Sequence, residues 1–214
     1  MSRSARGAKP QRSTASSVAE GSRRSELLVF AEGIRTEVQY INFWHRQYRN
    51  SILVEIAETH GTPMTLVEAA IEEKRSEQRE ERRGRGKAHD EYWCVFDRDE
   101  HPRFEEAVKL AQENQICLAV SNPCMELWFV WHFENQTAHV ERGEIQRRSR
   151  EILGCEKTLT ELALTKLADN VRYDAAKHRA TRLDLKHQGD GSPTGSNPSS
   201  SMHHLIDRIR QSSD

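Results

Sequence analysis

The chain has 214 residues, enough for one domain of ordinary size with tails and a buried core. Its 32 Lys and Arg stand against 33 Asp and Glu, a formal net charge of -1, so no global basic field recruits nucleic acid and any such contact must use local patches. Charged residues at 30% and a mean hydropathy of -0.82 describe a polar surface over a modest core, and no apolar run approaches the roughly 20 residues that cross a bilayer. The N-terminus lacks an apolar signal core, and Cys94, Cys117, Cys124 and Cys155 form no Cys-x-x-Cys pair. A cytoplasmic protein with reduced thiols and no structural zinc is therefore expected.

Residues 1–25 hold almost no large apolar groups and are expected to be a disordered tail, made basic by Arg3, Arg6, Lys9, Arg12, Arg23 and Arg24. The run Leu27-Leu28-Val29-Phe30-Ala31 reads as a buried parallel strand closed by Glu32 and turned at Gly33. Thr36 and Gln39 have capping-box spacing for a helix running to about Arg49. A second strand, nearer an edge, is expected within Ser51 to Thr59, and Pro63 opens the next helix. That helix continues into the charged stretch Glu72 to Lys87, read as a solvated end fraying at Gly84 and Gly86, or as a nucleic-acid contact through Arg82, Arg83, Arg85 and Lys87.

Tyr92-Trp93-Cys94-Val95-Phe96 reads as a third strand that delivers Asp97 and Asp99, followed by a helix from Phe104 to Gln115. A fourth strand, Ile116 to Val120, precedes Ser121-Asn122-Pro123, where Asn122 is placed to cap a buried helix from Cys124 to about Phe133. This alternation predicts an α/β fold, a parallel sheet of about four strands flanked by helices over residues 26–134. Residues 135–214 are expected to form a helical C-terminal extension packed on it, with helices at Ile145 to Leu153, Thr160 to about Leu185 and Met202 to Arg210, and a loop from Gln188 to Ser201.

Ligands of open α/β sheets bind at the carboxyl ends of strands, so Glu32, Asp97 and Asp99 converge there if their strands are neighbours. Asp97 and Asp99, two apart, project to one face. Two carboxylates about 4 Å apart repel by roughly 4 kcal/mol at an effective dielectric near 20, which a proton or a cation must relieve. Mg²⁺, or Mn²⁺ in its place, suits a few carboxylates with water and phosphate oxygens, and Glu100 is a further candidate ligand. A solvated acidic rim without function is the plainer account of Asp-x-Asp alone. Glu126 either faces this cluster or only favours its helix dipole. Ser121 and Asn122 can donate to a phosphate, although capping explains Asn122 unaided. Lys177, with Arg179, Arg182 and Lys186, supplies phosphate contacts or a solvated helix face. One of His203 and His204 approaches the site, or the two form a surface pair.

Leu28-Val29-Phe30-Ala31-Glu32-Gly33-Ile34-Arg35-Thr36-Glu37, Val95-Phe96-Asp97-Arg98-Asp99-Glu100 and Ser121-Asn122-Pro123-Cys124-Met125-Glu126-Leu127-Trp128 together resemble the RloB family of bacterial restriction and abortive-infection loci. Asn197-Pro198-Ser199-Ser200 before an apolar helix adds to the resemblance. It implies a Toprim-like core, with Glu32 as general acid/base and metal contact and Asp97 and Asp99 as the metal-binding pair. It further implies a Mg²⁺-dependent nuclease acting on DNA or RNA in anti-phage defence, beside an ATPase of the ABC or AAA type. The alternative is a regulatory subunit that binds Mg²⁺ and nucleotide without cleavage. Self-association through the exposed C-terminal helices remains open.

Overall fold

The computed structural model describes residues 24–98, 101–193 and 195–211. The expected tail therefore lies outside the described residues except for its last two positions, of which Ser25 already opens the first strand. Asp99 and Glu100 also lie outside them.

Strands β1 (Ser25–Ala31), β2 (Ile52–Ile56), β3 (Glu91–Asp97), β4 (Cys117–Asn122) and β5 (Ser199–Ser200) form one sheet in the order β2-β1-β3-β4-β5. The first four are parallel, and β5 runs antiparallel to β4. Helix α1 (Thr36–Tyr48) links β1 to β2, α2 (Pro63–Arg82) carries the chain back across to β3, and α3 (Phe104–Glu113) leads to β4. The chain thus leaves β1 toward one edge and returns on its other side, which makes the β1/β3 junction a topological switch point. Right-handed crossovers then require α1 on the face opposite α2 and α3.

The core divides in that way. Leu28, Phe30, Tyr92, Cys94 and Phe96 pack with Met64, Val67 and Phe104 of α2 and α3. Leu27, Val29, Trp93 and Val95 pack on the other face with Tyr40 and Trp44 of α1 and with the later helices. Central β1 and β3 are buried on both faces, whereas edge β2 alternates, with Ile52 and Val54 inside and Leu53 and Glu55 outside. Helix α4 (Glu126–Trp131) is apolar all round after Glu126 and buried throughout. Around it stand α5 (Arg142–Leu153), α6 (Glu161–Leu167), α7 (Asn170–Gly189) and α8 (Met202–Gln211). Trp128 Nε1 donates to Tyr40 Oη at 2.9 Å, and Tyr173 Oη donates to Asp207 at 2.8 Å, which pairs these polar atoms of the aromatic center. No helix among the described residues is long and apolar enough to cross a membrane.

Several local expectations change. Thr36 and Gln39 do not form a capping box. Thr36 Oγ1 donates to the Lys157 carbonyl at 2.7 Å, and Gln39 Oε1 accepts from Leu159 N–H at 2.9 Å, so both hold the segment before α6. Asn122 is not a helix cap: β4 extends through it, its Nδ2 donates to the Gly195 carbonyl at 2.7 Å, and α4 begins only at Glu126. The single helix expected from Thr160 to Leu185 is two, because Asp169 accepts from Arg172 N–H and caps a fresh start. The loop before α8 includes β5, where Ser200 Oγ lies 2.8 Å from Ser121 Oγ. The charged end of α2 is tied to its own surroundings, with Arg83 and Arg85 on Glu80 and Lys87 on Glu26.

His203 is not part of a surface pair: it is 4% exposed against Trp128, while His204 is exposed. Burial pushes both His203 and the equally enclosed His132 down to about 4 from the ordinary 6.5. Folding thus disfavors their protonation, so their stability contribution is full above pH 6.5 and drains away as pH falls toward 4. The thermal midpoint, followed by circular dichroism, should drop across that window, and His203→Asn should flatten the drop. An unchanged pH profile in the variant would remove His203 from that account.

Candidate functional site

The parallel pairing of β1 with β3 builds the site. Ala31 is in register with Val95, Glu32 N–H donates to the Val95 carbonyl at 2.9 Å, and Glu32 Oε2 accepts from Asp97 N–H at 3.0 Å. The side chain of Glu32 is thereby fixed against the end of β3. Asp97 continues the Trp93 and Val95 face of its strand, which aims it toward α4 and α5. It is 6% exposed, and Arg142 Nη2, at the first residue of α5, donates to its Oδ2 at 2.8 Å.

Two further carboxylates join them. Glu37 comes from the first turn of α1 and Glu126 from the first residue of α4, each where a helix N-terminus favors negative charge. Glu37 folds back over Gly33: a Cβ there would sit 2.1 Å from Glu37 Oε2, so any larger residue would push the carboxylate from this position. Glu32, Glu37, Asp97, Glu126 and Arg142 line one cavity of about 450 Å³, with Arg35, Gln146 and Lys157 at its sides.

The electrostatics follow from this crowding. Burial pushes the Asp97 carboxyl well above the usual range; Arg142 pulls it back, while Glu37, Glu126 and Glu32 push it up. Glu37 is raised by burial first and then by Glu126 and Glu32. The Cys124 thiol beneath is raised by burial and by Glu126 and Asp97, so it stays protonated and inert. Four carboxylates thus face one guanidinium at the floor of the cleft. Their hard oxygen atoms suit a divalent cation such as Mg²⁺. Among the described residues no three His, Cys, Asp or Glu side chains stand close enough together to hold a metal ion as they are.

Of the residues singled out in the sequence, Glu32, Asp97 and Glu126 share this cavity. Ser121 is buried in the β4–β5 contact, and Asn122 lines a neighboring cavity with His101. His101 Nε2 lies 3.7 Å from Glu32 Oε1. Lys177 pairs with Asp207 at 2.7 Å, Arg179 donates to the Trp131 carbonyl, and His203 belongs to the aromatic core, so none of the three lines the cleft. Glu37 and Arg142 were not singled out. Glu37 carries a signal, five residues after Glu32 and just past the Gly33 turn; Arg142 carries none, one arginine among several on α5.

The loop that places Arg142 is clamped by Asn197, whose Oδ1 accepts from Val140 N–H at 3.1 Å and whose Nδ2 donates to the Val140 carbonyl at 2.9 Å. A family model described as RloB-like protein matches residues 27–209, a span that contains every described element of the cleft. No curated protein matches the chain.

Removing one of the crowded charges should stabilize the fold. A carboxyl whose pKa is raised on folding contributes most at low pH and loses that contribution as pH rises above its ordinary 4.5. Glu37→Gln should therefore raise the thermal midpoint at neutral pH, by about 1 kcal/mol or roughly 2–4 °C for a chain of this size. The gain should vanish near pH 4. A lower midpoint at pH 7 would mean that Glu37 is stabilized as an anion by contacts stronger than the repulsion described.

Proposed function

The chain belongs to the RloB-like family, and from that premise we propose that it is a metal-dependent nuclease with a Toprim-like core, hydrolyzing phosphodiester bonds of DNA or RNA. The observation that carries this reading is the meeting of Glu32 and Asp97 at the switch point between β1 and β3, with Glu37 and Glu126 beside them. Asp97, together with Asp99, is assigned to hold a divalent cation, Mg²⁺ or Mn²⁺, with Glu100 as an additional ligand. When bound, the cation supplies charge stabilization at a phosphodiester oxygen.

The chain's own groups account for the rest. Glu32, anchored by Asp97 N–H through one oxygen and facing His101 through the other, is placed to take or return a proton at the attacking or leaving oxygen. Arg142 balances Asp97 and keeps it oriented toward the cleft. The floor is partly buried, Asp97 being 6% exposed, which strengthens the charge interactions there. A polyanionic substrate meets four carboxylates here, so activity requires added positive charge. Cytoplasmic action in anti-phage defence, with an ATPase of the ABC or AAA type as partner, belongs to the same proposal and draws on the family resemblance.

The test is cleavage of plasmid DNA and of total RNA by the purified protein in Mg²⁺, in Mn²⁺ and in EDTA, with and without the neighboring ATPase and ATP. Cleavage should require the metal, and Glu32→Gln and Asp97→Asn should each lower the rate by roughly 10²–10⁴ with unchanged circular dichroism. Absence of cleavage in every arrangement, with Mg²⁺ still bound, would replace the nuclease by a regulatory subunit that binds Mg²⁺ and nucleotide.

A further inference from the structure

The cations around the cleft divide into two groups. Arg35 and Lys157 line the acidic cavity, both exposed, and neither makes an ion pair among the described residues. Lys157 is held there through its own carbonyl by Thr36 and through the adjoining Leu159 by Gln39. Beyond Arg142 lies a second cavity of about 600 Å³, lined by Arg98, His101, His139 and Arg142, with Glu141 as its one carboxylate among the described residues. Arg142 lines both cavities and so forms the wall between them.

Arg35 and Lys157 differ in this lack of an ion pair from the other cations: Arg98 pairs with Glu105 at 2.8 Å, His139 Nδ1 lies 3.8 Å from Glu141, and Arg142 pairs with Asp97. Arg83 and Arg85 are neutralized by Glu80, Lys87 by Glu26, Arg147 by Glu151 and Lys177 by Asp207. Arg35 and Lys157 instead project at the rim of an acidic floor that has no use for exposed cations of its own. A formal charge of -1 gives no long-range attraction for a polyanion, so whatever holds one must act locally.

We propose that the two cavities form one track for the phosphodiester backbone of a nucleic-acid strand. Arg35 and Lys157 hold it on one side, Arg98, His101 and His139 hold it on the other, and Arg142 lies in the middle against Asp97. Phosphates gripped on both sides bring the intervening one over Glu32 and Asp97. The proposal deepens the nuclease reading and rests on it for the class of polymer alone.

The test is binding, scored separately from cleavage. Anisotropy of a short labeled oligonucleotide is titrated with the full chain in Ca²⁺ across a salt series, strand integrity being checked on a gel. Single-stranded DNA, RNA of the same sequence and a duplex form the three arms that identify the source of the backbone. Arg35→Gln and Lys157→Gln should each weaken binding about fivefold at 0.1 M salt and reduce the slope of log affinity against log salt by about 0.7. Lys109→Gln, an exposed lysine of α3 paired with Glu113, should change neither. Slopes unchanged in Arg35→Gln and Lys157→Gln, an equal loss in Lys109→Gln, or no binding of any strand would overturn the track.

The two readings fail separately. Cleavage lost in Glu32→Gln with unaltered slopes keeps the nuclease and removes the track. Reduced slopes without cleavage in any metal keep the track and remove the nuclease.

Discussion

The parallel contact between the carboxyl ends of β1 and β3 is the constraint on which the cleft depends. Glu32 N–H reaches the Val95 carbonyl and Glu32 Oε2 receives Asp97 N–H, so one glutamate is tied to the neighboring strand through both backbone and side chain. Because β2 lies on the far side of β1, the connection that leaves β1 turns away from β3 at this point, and the cavity opens between it and the first residues of α4 and α5. A one-residue slip of β3 would turn Asp97 to the opposite face and exchange both core clusters, so register here is specified by the burial of Trp93 and Val95 on one side and Cys94 and Phe96 on the other.

Everything around that contact holds the carboxylates where they would not otherwise stay. Apolar packing against the sheet supplies the favorable free energy, and the crowding of Glu37, Asp97 and Glu126 detracts from it. Crowding of this kind is common where a function needs charge held at close quarters, which makes the cleft a candidate site. The C-terminal segment takes part directly. Asn197 clamps Val140, two residues before Arg142, and the Ser121–Ser200 contact closes the β4 edge, so the Asn-Pro-Ser-Ser motif links the last strand to the guanidinium that balances Asp97.

The sequence disclosed what short-range pattern encodes. Apolar runs ending in Glu32 and Asp97 located β1, β3 and the acidic pair, and alternation at Leu53 to Ile56 marked β2 as an edge. What it concealed depends on distant partners. Thr36 and Gln39 have the spacing of a cap, yet the segment before α6 offered them better hydrogen bonds. Asn122 before proline also resembles a cap, but a serine strand some eighty residues later extends β4 through it. Asp169 resembled one more polar residue on a helix face until its carboxylate proved to start α7. His203 carries no local mark of burial, because the ring it packs on, Trp128, comes from α4 and the hydroxyl that reaches its carbonyl, Tyr173 Oη, from α7. Arg142 is 45 residues from Asp97, and nothing on α5 distinguishes it from Arg147 or Arg150.

The arrangement of charge also orders what can enter. On the proposed reading, a floor of four carboxylates with one guanidinium favors a small divalent cation over a phosphate backbone, whereas Arg35 and Lys157 at the rim do the reverse. On the proposed reading a cation therefore precedes the strand, since the backbone can approach the floor only after the floor has been neutralized. Arg142 stands at the boundary between the two regimes. While it holds Asp97 it serves as the internal counter-ion; were a bound cation to take that role, the guanidinium, whose planar geometry suits a phosphate as well as a carboxylate, would be free to face one. On that reading the near-neutral chain needs no basic surface to handle a polyanion, because opposite charges are separated by depth within one cleft.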